Sequence, residues 1–324
     1  MVLLLDEGAV AEAIDMRTSI GVTEAAFASY AKGETLMPKR LHMAVDGMRG
    51  GLRVMPAALM GGRAVGLKTI TGSPGARDPR STYFLVVLFD PSDGRLLSIM
   101  GADVITRLRT GAASAIATKY LSRKDSKSVG VYGTGVQARA QLEALTKVRG
   151  ITDAKAYDIS RERLFAFCKE MSSNLDVGVE PVSEPSSAAR TDIIVTATTS
   201  DKPFLMDSWV GPGTHINAMG ANSPSKRELD PALMKKSRIF VDFKEQAIAE
   251  AGDLVEAFKS RDLLESQIEA ELGDLVLGRN AGRNSDQEVT IFKSVGVAIE
   301  DVALAGEIYE RALKKGLGQD VALT

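Results

Sequence analysis

A six-residue loop, Gly133-Thr134-Gly135-Val136-Gln137-Ala138, governs how the middle of this chain folds. It fits the pattern G-x-G-x-x-G/A and stands between SVGVY, which reads as a strand, and VQARAQLEALTKV, which reads as a helix. In such a loop Gly133 makes the tight turn, Gly135 lets the backbone approach a pyrophosphate, and Ala138 allows close helix–sheet packing. The helix start offers free N–H groups and a partial positive charge to phosphates. With 30 glycines in the chain, the pattern alone is weak, since a tight turn holding nothing reads the same way. Its context adds the weight. Asp158 closes the next strand, 23 residues beyond Gly135, where an acidic residue receives the ribose hydroxyls of a dinucleotide. A carboxylate there repels a 2′-phosphate and favours NAD, while Arg161 and Arg163 just beyond leave NADP open.

The flanking texture supports a parallel sheet. From Ser128 onward, the strand-like runs SVGVYG, AKAYD, VGVEPV, DIIVTAT, GTHINAMG and RIFVDF alternate with the helical runs VQARAQLEALTKV, RERLFAFCKEM, SSAAR and DPALMKKS. Alternation of this kind implies an α/β fold, a doubly wound parallel sheet covered on both faces. The earlier part differs. Residues 9–31 read as one helix stopping at Gly33. Residues 39–90 read as the strands LRVMPAALM, AVGLKTI and YFLVVLF, punctuated by GMRGG, MGGR and TGSPGARDPR. PSDG turns into a further strand, LLSIM, before a long helix at 103–121. At about 150 residues per domain, 324 residues suggest two. The boundary falls near SRKDSKS at 122–128, and a last helix at 302–315 returns to the first domain.

Composition removes several classes. Forty basic against 42 acidic residues give a net charge of −2, which argues against a general nucleic-acid binder. One cysteine, Cys168, precludes an internal disulfide and a thiolate zinc cluster, and only His42 and His215 stand beside it, so no metal is expected. The first residues do not read as a signal peptide, and the longest strongly apolar run, 83–89, is far too short to span a bilayer. No membrane partner and a reducing, cytoplasmic setting are expected.

Three cations stand where charge is unusual. Arg53 and Lys68 sit in otherwise apolar strands, and Arg109 directly precedes Thr-Gly-Ala-Ala-Ser-Ala, a surface of small side chains. Strand alternation puts Lys68 on one face with Gly66 and Ile70 but leaves open whether that face is wet. If the three converge, they suit a substrate bearing a carboxylate. His215, in an apolar strand, reads as a structural hydrogen-bonding histidine. Glu300 and Asp301, adjacent before the last helix, read as solvated or helix-capping charges.

The stretches LRVMPAALM, GLKTI, RLRTGAASAIATKYL, GTGVQARAQLEAL, AYDISRE, GTHINAMGANSPSKRELD and EVTIFKSVGVAIED span most of the chain, and in them it resembles the ornithine cyclodeaminase/mu-crystallin family. The resemblance implies a Rossmann domain at 122–299. It also implies a discontinuous α+β domain, residues 1–121 and 300–324, that binds substrate and forms a homodimer. Arg53, Lys68 and Arg109 match positions that hold the substrate carboxylate or the adjacent cofactor. Thr82, Val136, Gln137, Asp158, Thr198, Met219, Lys226 and Ser294 match positions lining the dinucleotide, beside Gly133 and Gly135, and Val295 lies near the substrate.

One departure matters. Where cyclodeaminases carry a catalytic aspartate, this chain has Asn222, whose amide cannot accept a proton from a substrate amine as a carboxylate does. The expected activity is hydride transfer between NAD(P) and the α-carbon of a small α-amino or α-imino acid. Arg53 and Arg109 clamp the carboxylate, Lys68 completes the clamp or moves the proton, and Asn222 bonds the substrate nitrogen or a water. The variants within this class are an alanine dehydrogenase and a ketimine or pyrroline-carboxylate reductase. The alternatives outside it are an ornithine cyclodeaminase using another base and a non-enzymatic, dinucleotide-dependent binding protein.

Overall fold

The computed structural model describes residues 1–45, 48–60, 64–72 and 82–323. It divides into two compact units: Met1–Arg109 with Gly296–Thr324, and Thr110–Val295. The sequence placed the divisions at 121/122 and 299/300. The first falls inside a helix, between Arg109 and Thr110 of the segment Asp103–Leu121, and the second falls between Val295 and Gly296.

The first unit contains β1 (Val2–Leu5), α1 (Glu7–Ala13), α2 (Met16–Ala31), β2 (Thr35–Leu36), β3 (Leu41–Val45), β4 (Met48–Leu59), β5 (Ala64–Gly72), β6 (Thr82–Phe89), β7 (Leu96–Gly101) and the start of α3 (Asp103–Leu121). The single helix read at 9–31 is two. Asp15 breaks it by accepting the Thr18 N–H at 2.7 Å as the N-cap of α2. The glycine-bearing stretch GMRGG is not a turn throughout, since its last four residues open β4. Most of the MGGR and TGSPGARDPR punctuation lies outside the described residues. Glu7 caps α3, its two oxygens accepting the N–H groups of Asp103 and Val104 at 2.8 and 3.0 Å.

The second unit contains β8 (Ser128–Tyr132), α4 (Val136–Thr146), β9 (Asp153–Tyr157), α5 (Arg161–Asn174), β10 (Gly178–Pro181), α6 (Pro185–Ala188), β11 (Ile193–Thr196), β12 (His215–Ala218), α7 (Pro231–Lys236), β13 (Arg238–Val241), α8 (Lys244–Glu250), α9 (Gly252–Lys259), β14 (Ile268–Glu271), α10 (Leu272–Val276) and β15 (Thr290–Lys293). The chain then returns to the first unit with α11 (Ala298–Lys315) and β16 (Gln319–Val321).

The sheet of the first unit runs β16-β1-β7-β6-β5-β4-β2, with β3 also on β4. It is antiparallel except for the β1–β7 pair. Its inner face, carrying Met55, Ala57, Ala64, Val86 and Leu88, is buried, and α11 packs against β4, β5, β6 and α2. The sheet of the second unit runs β10-β9-β8-β11-β12-β15-β13-β14 and is parallel throughout. Val129 and Val131 of β8 pack with Ala138, Leu142 and Phe167 on one face. Gly130 turns to the other, where an added Cβ would lie 1.9 Å from the Ala188 carbonyl oxygen. The α/β class with a doubly wound sheet is therefore the architecture of this chain.

Candidate active site

In the first unit, β4 and β5 bring two of the expected cations onto one face. Lys68 stands opposite Met55 and Val86, and Arg53 stands opposite Ile70, two residues along from Lys68. Alternation puts all five on the inner face. Lys68 is completely buried and Arg53 half-buried, which answers the question the sequence left open about the wet face. Thr82 shares this face but sits at the start of β6, opposite Gly72 and four residues from Val86.

Arg109, on α3, meets the same group of side chains. Its Nη1 donates to Glu300 Oε2 at 2.7 Å, and its Nε lies 3.3 Å from Asp301 Oδ1. Lys68 Nζ donates to that same Asp301 oxygen at 2.6 Å and to Thr106 Oγ1 at 3.5 Å. The expectation of solvated charges is overturned, for Glu300 and Asp301 are fully buried, while the helix-start alternative agrees with their place in the first turn of the last helix. α11 begins at Ala298, a turn before the expected 302, and that extra turn carries the pair onto the sheet. Gly296 (φ +77°) makes room for Arg109, whose guanidinium would lie 2.3 Å from an added Cβ. Burial pushes Lys68 down to about 8; the Asp301 charge opposes this and the Arg109 charge adds to it. Lys68 and Arg109 are thus ion-paired, whereas Arg53 makes no ion pair among the described residues.

In the second unit the remaining expected residues gather at the carboxyl ends of the strands. The strand order reverses between β8 and β11, the place where such sheets bind ligands. Gly133 (φ +84°) turns tightly beneath Ala197, whose carbonyl oxygen would lie 2.6 Å from an added Cβ. Gly135 is the N-cap of α4 and caps nothing with a side chain, and no atom lies within 4 Å of where its Cβ would be. Val136 follows with 63% of its surface exposed, and Gln137 is half-buried. This open space over uncapped N–H groups fits a pyrophosphate.

Asp158 lies at the end of β9 against the loop. Thr134 donates to its Oδ2 from N–H and hydroxyl, while Ser160 N–H and Arg163 Nη2 donate to its Oδ1 at 2.8 and 3.1 Å. Burial pushes this carboxyl up, but the Ser160 and Thr134 hydrogen bonds and the Arg163 charge outweigh it and hold it below the ordinary carboxylate range. A cavity of about 610 Å³ opens here, lined by Tyr132, Gly133, Asp158, Ile159, Thr198 and Phe204 among others. Ile159, in the cavity lining, is 88% exposed.

Four further charged residues fix these loops and were not singled out in the sequence. Arg139 donates to the Thr134 carbonyl oxygen at 2.6 Å and forks onto Glu170 at 2.7–3.0 Å. Glu228, fully buried, accepts from Thr196 Oγ1, Thr198 N–H, Thr198 Oγ1 and Gly220 N–H at 2.7–2.9 Å. Asp253 in turn accepts the Glu228 and Leu229 N–H groups, and Lys293 lies 3.1 Å from its other oxygen. The ends of β11, β12 and β15 are thereby knotted together. The available signal was a glutamate three residues after Ser225 in an otherwise loop-like stretch, too weak to act on alone.

Met219, Lys226, Ser294 and Val295 lie on or beside these ends. Met219 is buried with its N–H on the Thr196 carbonyl oxygen, and Lys226 is half-buried. Ser294 hydroxyl and Val295 N–H both donate to Asp242 Oδ2, at 2.7 and 2.8 Å. Asn222 is exposed, with its N–H on the Gly220 carbonyl oxygen. His215 is buried, its Nδ1 3.0 Å from Thr290 Oγ1, in the structural role expected of it.

Known proteins resemble this chain over nearly its whole length. The model of the ornithine cyclodeaminase/mu-crystallin family covers residues 2–316. The alanine dehydrogenase of Archaeoglobus fulgidus is 40% identical over 98% of each chain. Among solved structures, Thermococcus litoralis Delta(1)-pyrroline-2-carboxylate reductase in complex with NADH and L-proline superposes with a TM-score of 0.96 at 38% identity, covering 99% of this chain and all of that one. An archaeal alanine dehydrogenase dimer with bound NAD superposes with a TM-score of 0.94 at 38% identity, covering 100% and 99%.

Proposed function

The chain belongs to the ornithine cyclodeaminase/mu-crystallin family, and we propose that it is an NAD(P)-dependent oxidoreductase acting at the α-carbon of a small α-amino or α-imino acid. The observation that carries this reading is Arg53, half-buried and without an ion pair among the described residues, beside a fully buried Lys68 on one sheet face. A carboxylate supplies an ion-pair partner that Arg53 lacks among the described residues, in the forked geometry a guanidinium favours. Arg109, already held by Glu300 and Asp301, shares the Asp301 oxygen with Lys68. Lys68 is the proton donor and acceptor, a role that a lysine brought near neutrality by burial suits.

The loop from Gly133 to Ala138 holds the pyrophosphate and Asp158 the ribose hydroxyls, with Thr198, Met219, Lys226 and Ser294 along the rest of the cofactor. When bound, the nicotinamide supplies or receives the hydride. The Asp158 carboxylate supports NAD over NADP. Asn222, exposed near Gly220, is proposed to bond the substrate nitrogen or a water. A reducing, cytoplasmic setting agrees with Cys168, a buried free thiol.

We further propose a homodimer, as in the archaeal alanine dehydrogenase structure. On the outer face of the first sheet, Leu41, Val54, Thr69 and Leu85 form one cross-strand row, and Met43, Leu52, Thr71 and Tyr83 the next. Leu41, Met43, Tyr83 and Leu85 are 46–64% exposed, a contiguous apolar surface of the kind that partners cover.

The decisive test is absorbance at 340 nm with alanine and NAD, with pyruvate, ammonium and NADH, and with five- and six-membered cyclic ketimine carboxylates and NADH or NADPH. Net cofactor turnover with at least one of these is expected. NADH binding without turnover on any of them, or proline and ammonia from ornithine without net NADH change, overturns the reading.

A further inference from the structure

Two adjacent acids fully buried in the first turn of a helix are costly to desolvate, and such a pair is retained where it organises something. Here the helix start favours the negative charge, and the cations Lys68 and Arg109 are delivered from β5 and α3. Asp301 Oδ1 is the shared point, 2.6 Å from Lys68 Nζ and 3.3 Å from Arg109 Nε. Among the described residues, Lys68 and Arg109 are both ion-paired with these two acids, so their charges are already answered within the protein. The effect of the cluster falls on where the Lys68 ammonium stands and how firmly it keeps its proton.

We propose that Asp301 is a positioning residue for the reaction, fixing the Lys68 ammonium on the inner sheet face and sustaining its charge, while Glu300 fixes Arg109. This rests on the role given to Lys68 above. The groups facing Lys68 are Asp301 and Glu300 from α11, Arg109 and Thr106 from α3, Arg53 from the same face of β4, and the apolar Val86 from β6. Of these, the acids hold the proton on, while Arg109 and burial drive it off. Removing the Asp301 charge leaves the second pair of effects dominant.

The test uses the full-length protein with lysine labelled at ¹³Cε and the Lys68 resonance assigned by Lys68→Arg. Wild type is expected to titrate near pH 8, because burial pushes Lys68 down to about 8. Asp301→Asn moves that titration down by about one unit or more, and Glu300→Gln moves it less. The pH limb of turnover that reports Lys68 shifts the same way. Asp301→Glu, which keeps the charge on a longer arm, leaves the titration within about half a unit while turnover number falls and KM changes little. A Lys68 titration unmoved in a natively folded Asp301→Asn protein overturns the proposal. So does full turnover in Asp301→Glu, which decides the matter should the asparagine variant not fold. Lack of turnover in wild type would count against the proposed function, and the resonance titration would still decide the charge that Asp301 holds on Lys68.

Discussion

Thr134 donates twice to one oxygen of Asp158, from its backbone N–H at 2.9 Å and its hydroxyl at 2.8 Å. The turn proposed to hold the pyrophosphate and the carboxylate proposed to receive the ribose are therefore one hydrogen-bonded unit. Asp158→Ala removes an acceptor for the ribose and frees the turn together. Loss of charge-assisted bonds of this kind costs about 1.5–3 kcal/mol each, so NADH affinity falls at least about tenfold. Removing the charge also lifts repulsion from a 2′-phosphate, so the NADPH-to-NADH preference rises. Fluorescence titration with both cofactors measures this, and unchanged NADH affinity in Asp158→Ala would contradict the assignment.

Gly133 and Gly135 stand two residues apart yet respond oppositely to substitution. Gly133 has φ +84° and a backbone carbonyl where its Cβ would go, so Gly133→Ala destabilises the protein itself, by about 2 kcal/mol or more. Gly135 has φ −80° and empty space at that point, so Gly135→Ala leaves stability within about 0.5 kcal/mol. Its methyl instead occupies the approach to the phosphates, and NADH binding weakens. Urea denaturation without cofactor, paired with NADH titration, separates the two. Equal stability loss in both variants would contradict the open space over Gly135, and unchanged NADH affinity in Gly135→Ala would contradict its assignment to the phosphates.

How much of this was legible follows from how local each feature is. The loop, its helix and Asp158 lie within 26 consecutive residues, and the pattern could be read because a turn and its ligand are made by neighbours. Lys68 and Asp301 are 233 residues apart, and nothing in sequence announces that they meet. Their pairing hinged on one helical turn: with α11 starting at Val302, Glu300 and Asp301 fall in a connection, whereas with Ala298 they face the sheet. β15 went unread for another reason. Its four residues, TIFK, carry a lysine and follow a polar stretch, yet all four are buried because the strand lies between β12 and β13 in the middle of the sheet. Lys293 is tolerated there through Asp253.

His215 gives the stability a pH dependence with a definite sign. Burial, then the Arg283 charge, drive its folded pKa down to about 3, against an ordinary value near 6.5. Between those values the unfolded chain binds a proton that the folded one refuses, so stability rises with pH across the window and falls on acidification below about 6.5. The loss from pH 7 to 4.5 attributable to His215 is on the order of 2 kcal/mol. His215→Gln keeps a polar group toward Thr290 but cannot titrate. Its urea-derived stability should fall less steeply over this range than that of wild type. Parallel curves would mean that the folded protein accepts the proton, through an opening at Thr290 that the buried pair does not show.

The outer face of the first sheet sets the last expectation. Leu85 lies opposite Thr69, with Val54 and Leu41 continuing the same row, and its side chain is 46% exposed although it stands in the middle of an eight-residue strand. Left in water, two rows of such side chains are an unfavourable surface; covered by a second copy, each large apolar side chain contributes about 1.5–3 kcal/mol. Wild type is therefore expected to sediment at twice the chain mass at micromolar concentration. Leu85→Lys puts a charge on each copy into that contact, weakening association about a hundredfold or more. Because Leu85 points away from the sheet face that carries Lys68 and Thr82, NADH affinity should stay within about twofold. A wild type that sediments as a monomer would refute the dimer, and a Leu85→Lys variant that dimerises as before would place the contact on another surface.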